Sequence, residues 1–216
     1  MLPLPFFIYI ELTAFIISLL TYNSLKGTAF RPFPFFLLFI VTVELTGTYM
    51  AKVLHQQNAW LLNISTTLEF IFYAYIFSQT LRNPAYKKMT LGFIAFFPML
   101  VALNMIFIQG FTEFHSYTNA LGSVLMVIFC SLFFYELLLN PLEGELHKVP
   151  MFWVTTGILF FYLGDLSFDL LYNLLKNDAM GRDLFKSINN NLILILYSCF
   201  IIAFLCQRSL VKSLLP

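Results

Sequence analysis

Glu11, Glu44, Glu69, Glu136, Asp165 and Asp169 are six of the chain's eleven acidic residues, and each stands in a predominantly apolar stretch. Carboxylates in such surroundings can take and release protons, bind a cation, or act as an acid and base pair. On insertion scales an ionised carboxylate at the centre of a membrane helix costs about 2.5 to 3.5 kcal/mol, so these groups should face a bundle interior or water. On the sixth apolar segment Tyr162, Asp165, Asp169 and Asn173 follow the i, i+3, i+7, i+11 spacing of one helical face. The second segment repeats the pattern with Glu44, Thr48, Lys52 and His55, and the third places Asn63, Thr66 and Tyr73 beside Glu69.

The elements that must carry these residues follow from composition. Of 216 residues 60% are hydrophobic and 11% charged, with 27 phenylalanines. Soluble domains average about 45 to 50% and 25%. Seven apolar segments approach or exceed the length of about 20 residues that crosses a hydrocarbon core. They run from Pro5 to Leu25, Phe33 to Leu54, Ala59 to Leu81, Thr90 to Ile108, Tyr117 to Leu139, Met151 to Lys176 and Ile188 to Leu210. The expected fold is all-α, a polytopic transmembrane bundle of seven spans forming one domain over residues 1–216. The connections Asn140 to Pro150 and Asn177 to Ser187 are too short to fold alone. Pro98, inside the fourth segment, is expected to kink it rather than break it. Met1 to Pro5 carries no basic residue, so the first segment reads as a retained helix and not a cleaved signal.

Basic residues are retained on the cytoplasmic face. With the N-terminus outside, Lys26, Arg31, Arg82, Lys87, Lys88, Lys148, Arg208 and Lys212 fall inside, against Lys52, Lys176, Arg182 and Lys186 outside. The expected orientation is therefore N-terminus outside and C-terminus cytoplasmic. Counted from the outer helix ends, Glu44, Glu69 and Asp165 lie roughly 15 Å deep, Glu11 and Asp169 roughly 9 to 10 Å, and Glu136 roughly 28 Å, near the cytoplasmic border. Tyr197 on the seventh segment reaches the depth of the first three. An outward-opening cavity floored by Glu44, Glu69 and Asp165 is the expectation, with Glu11, Asp169, Tyr162, Asn63 and Asn173 as further ligand- or proton-binding candidates.

Plainer readings stand beside it. Buried acids can be protonated and serve as interhelical glue worth about 0.6 to 2 kcal/mol each. Lys52 can pair with Asp169 or Glu11, which leaves the deeper layer uncompensated. Gly47 and Ala51 make a small-xxx-small pair suited to close packing within the bundle or in a dimer. His55, His115 and His147 lie by different loops on both sides, too far apart for one zinc site. Cys130, Cys199 and Cys206 have neither metal spacing nor a CxxC pair and read as apolar packing. No cofactor or metal is implied, and the net charge of +1 points to no nucleic acid. The implied partners are the lipid bilayer, a small polar or cationic ligand, and a membrane-protein partner or second copy.

The run Thr156-Gly157-Ile158-Leu159-Phe160-Phe161-Tyr162-Leu163-Gly164-Asp165 resembles the Gly-x-x-x-Phe then Ser-Asp stretch of the YhhN-type lysoplasmalogenases. Gly164 replaces the serine, and the family's other polar motifs are missing from this chain. What that resemblance implies is an intramembrane lipid hydrolase. In length, helix count and texture the whole chain resembles seven-helix integral membrane proteins of Bacteroidetes-type bacteria, some accompanying sensor kinases. That likeness brings no assigned active-site residues and implies a sensing or accessory role. Three functions are thus carried forward: a ligand-sensing or accessory module, a proton- or cation-coupled transporter, and a hydrolase using Asp165 and Asp169 or the glutamates as acid and base. An odd helix count and the lack of an internal repeat weigh against the transporter.

Overall fold

The computed structural model describes the backbone of residues 5–140, 145–175 and 179–214, and the side chains of 5–140, 145–167 and 187–213. The described residues form helices and loops without a strand: α1 Phe6–Leu20, α2 Tyr22–Leu25, α3 Phe33–Lys52, α4 Ala59–Thr80, α5 Pro84–Phe107, α6 Ser116–Leu139, α7 Pro150–Leu175 and α8 Ala179–Leu214. A single 3₁₀ turn, Leu146–Lys148, precedes α7. Among the described residues five helical stretches are long and apolar enough to cross a membrane: α3, α4, α5, α6 and the Ser187–Ser213 part of α8. Their outward faces carry large apolar side chains, among them Phe35, Phe96 and Leu138, at 65, 65 and 79% exposure. A surface so apolar belongs against lipid, and the chain is an integral membrane protein.

Local chemistry sets where the helices differ from the sequence expectation. The first segment comes in two pieces, because Thr21 leaves helical geometry at φ −101° and ψ 2°. Its hydroxyl turns back on the carbonyl of Ile17 at 2.8 Å. Alone, α1 rises only about 22 Å at 1.5 Å per residue, less than a full crossing. The fourth segment starts at Pro84 rather than Thr90, because Asn83 and Pro84 form a helix start and not merely a turn. Asn83 Oδ1 accepts from the Ala85 N–H at 2.8 Å, and proline suits the first helical position. The helix then runs unbroken through Pro98. The last segment begins at Ala179 instead of Ile188, so most of the stretch read as a connection between 177 and 187 is helical.

Packing contacts close six helices into a ring in the order α1, α3, α4, α6, α7, α8 and back to α1, with α5 outside the ring against α4 and α6. Lipid tails are as apolar as leucine, so helix association there rests on close van der Waals fit rather than on burial from water. Glycines supply that fit at two seams. A Cβ on Gly157 would lie 2.8 Å from Cys199 Cβ, and one on Gly164 would collide with Leu192. Seven residues apart on α7, these glycines form the face that receives α8. At the second seam, a Cβ on Gly122 of α6 would collide with the ring of Phe70 from α4. Gly47 also packs within the bundle: Asn58, at the start of α4, donates to its carbonyl at 3.2 Å, while Ala51 is exposed. The ring's centre is aromatic. Phe70 stacks on Tyr162 at 5.2 Å between centroids, Tyr73 meets Tyr162 edge-on at 6.2 Å, and Phe200 meets Tyr73 at 6.1 Å.

Candidate functional site

All six helices of the ring send a polar side chain toward one level of its interior. Glu11 of α1 lies within electrostatic range of Glu44 of α3 and Glu69 of α4. Glu69 is also in range of Asp165 of α7 and sits beside the phenols of Tyr73 and Tyr162. Tyr197 of α8 is within range of Glu11, Glu44 and Glu69. From α6, Ser123 Oγ and Asn119 Nδ2 donate to the same oxygen of Asp165, at 2.8 and 3.0 Å. Neither α2 nor α5, both outside the ring, contributes a side chain here.

Tyr73 and Tyr162 are 0 and 2% exposed; both phenols reach Glu69 as their acceptor but without a well-aligned hydrogen bond, and one carboxylate oxygen of Glu11 has no partner. A buried donor or acceptor left unmade costs about 1 to 3 kcal/mol. Two phenols that meet Glu69 only in poor alignment, with one oxygen of Glu11 unmet, leave hydrogen-bonding capacity for a further partner. The carboxylates themselves are spread around the ring: among the described residues no three His, Cys, Asp or Glu side chains converge closely enough to hold a metal ion. The arrangement suits a group that spans several acceptors better than it suits a point charge.

Not every candidate belongs to this level. Asn63 is spent elsewhere, donating to the Glu113 carbonyl at 2.9 Å and accepting from the His115 N–H at 2.9 Å. It fastens the loop between α5 and α6 to α4. The side chains of Asp169 and Asn173 lie outside the described residues, although the α7 backbone continues through both. Glu136, expected from the sequence to lie near the cytoplasmic border, has a definite task in the fold. It is 8% exposed and its two oxygens accept from the backbone N–H groups of Arg82 and Asn83, each at 2.7 Å. Those donors open α5, so Glu136 is a charged cap supplied from α6.

Of the histidines, His55 is exposed with φ +53°, His147 pairs with Glu145 at 3.1 Å on the surface, and His115 is buried against the Gly110 carbonyl at 2.8 Å. Lys148 also lies 3.1 Å from Glu145 and holds that exposed carboxyl below the usual range. The sequence reading passed over Asn119 and Ser123. Their spacing of four on an otherwise apolar face was the available signal, but their partner sits 46 and 42 residues away.

No family model, curated protein or solved structure matches the chain.

Proposed function

We propose that the chain spans the bacterial inner membrane seven times, N-terminus outside and C-terminus cytoplasmic, and works as a ligand-sensing or accessory membrane module. Its ligand is small, polar or cationic, and enters from the outer face to lie between Glu69, Glu44, Glu11 and Asp165. One observation carries this reading: the phenols of Tyr73 and Tyr162 are buried against Glu69 without a well-aligned hydrogen bond to it. A ligand bearing several N–H or O–H donors satisfies both the phenols and the carboxylates around them. Since the aromatic rings already pack against one another, recognition would run through hydrogen bonds and charge rather than through an aromatic cage. A module of this kind passes the bound state on by repacking its helices against a membrane-protein partner or a second copy.

The test is thermal stabilisation of the purified protein by sodium, ammonium, methylammonium and ethanolamine, with the Glu69→Gln variant alongside. A ligand at about a hundred times its dissociation constant adds about 2.7 kcal/mol to stability, which a melting curve resolves. The expected result is a rise in melting temperature with the organic ammonium ions that is lost in Glu69→Gln. Equal responses in the two proteins, or none in either, would sink the reading.

A further inference from the structure

A second polar space lies at the end of the bundle where α5 turns into α6. It is a cavity of about 10 Å³ whose walls include Thr66, His115, Thr118 and Asn119, with the rings of Phe70 and Phe97 beneath them. That volume matches one water molecule, which needs two to four polar partners to stay. The partners are present. His115 is 3% exposed, with Nε2 at 2.8 Å from the Gly110 carbonyl and Nδ1 without any partner. The Nε2 contact to a carbonyl requires the proton on that nitrogen, so Nδ1 is an acceptor waiting for a donor. Thr118 Oγ1 gives its proton to the His115 carbonyl at 3.2 Å and keeps its lone pairs. Asn119 gives its amide nitrogen to Asp165 and keeps its carbonyl oxygen as a further acceptor.

The cavity is therefore one side chain from the acidic level in two directions. Asn119 separates it from Asp165, and the ring of Phe70 separates it from Tyr162, on which that ring stacks. Its roof is the loop that Asn63 pins through Glu113 and His115.

We propose that this cavity holds an exchangeable water and is the inlet through which Asp165 is hydrated, with Asn119 as the link between them. Its placement on the outer side rests on the orientation proposed above. The inlet admits only water-sized species, so a larger ligand reaches Glu69 by another path between the ring helices.

Radiolytic hydroxyl-radical labelling of the wild-type protein in detergent, after rapid mixing into water carrying heavy oxygen, tests this without altering the fold. A fully buried phenylalanine is hydroxylated under these conditions only if exchangeable water touches it. Phe70 and Phe97, 0 and 1% exposed, should gain heavy oxygen, whereas Phe77, Phe200 and Phe204, each 0% exposed and outside the cavity lining, should not. An Asn119→Leu variant, which fills the space, should lose the label at Phe70. Labelling of Phe70 and Phe97 no greater than that of the three control rings overturns the inlet. The outcome is independent of the ammonium screen: labelling without ligand stabilisation defeats the functional reading alone, and stabilisation without labelling defeats the inlet alone.

Discussion

Ser123 Oγ donates to Asp165 Oδ2 at 2.8 Å, joining α6 to α7. Asn119 Nδ2 shares that oxygen at 3.0 Å. Hydrogen bonds to charged groups contribute about 1.5 to 3 kcal/mol, and fewer donors leave a buried carboxylate short of what water gave it. Ser123→Ala should therefore lower stability by about 1 to 3 kcal/mol in a denaturation series in detergent. An unchanged midpoint would mean that Asn119 alone suffices for Asp165.

This pair marks how far the sequence was legible. The apolar runs could be read because a membrane span is a local property of about 20 consecutive residues. Glu44, Glu69 and Asp165 could be singled out because a carboxylate inside an apolar run is itself a local signal, to which helical rise attaches an expected depth. Neither argument reaches Asn119 and Ser123, whose role exists only once α6 lies against α7. The start of α8 was missed because residues 179–187 are polar enough to look like a loop, while helix formation needs no apolar face there. Asn83 and Pro84 were visible but ambiguous, since the same two residues serve a turn and a helix start.

Glu136 and Glu69 should respond in opposite ways to loss of charge. Glu136 occupies two backbone donors at the start of α5, and Glu136→Gln presents an amide N–H₂ where one N–H needs an acceptor. The expected loss is about 1.5 to 3 kcal/mol of stability. For Glu69→Gln, replacing a buried carboxyl near Glu11, Glu44 and Asp165 with a neutral amide of the same shape should leave the melting temperature unchanged or raised. Parallel melting curves of the two variants check this, and a larger loss for Glu69→Gln would make that residue a structural one.

Gly122 is fitted to Phe70 across the α4–α6 seam. Gly122→Ala forces the phenylalanine ring out of place, and overpacking of this kind costs about 1 to 3 kcal/mol. Because Phe70 also stacks on Tyr162, the displacement should reach the acidic level. Combining Gly122→Ala with Phe70→Leu should recover most of the loss, since the smaller side chain vacates the space the methyl takes. A double-mutant cycle in which the two costs simply add would show that the ring is not what Gly122 accommodates.

Tyr73→Phe and Tyr162→Phe distinguish a binding level from interhelical glue most sharply. If the phenols hold the helices together, removing either hydroxyl breaks a hydrogen bond and lowers stability by about 1 kcal/mol. Each phenol oxygen is instead buried against Glu69 without a well-aligned hydrogen bond, so its removal gives up little and leaves the ring packing intact. Both variants should melt at or above the wild-type temperature in the absence of ligand. Both should also lose the stabilisation by organic ammonium ions, because the donors and acceptors they delete are the ones a ligand beside Glu69 would meet. Destabilised variants that still respond to those ions would return Tyr73 and Tyr162 to a purely structural role. Stable variants that respond less would place the recognition of ligand at the two phenols.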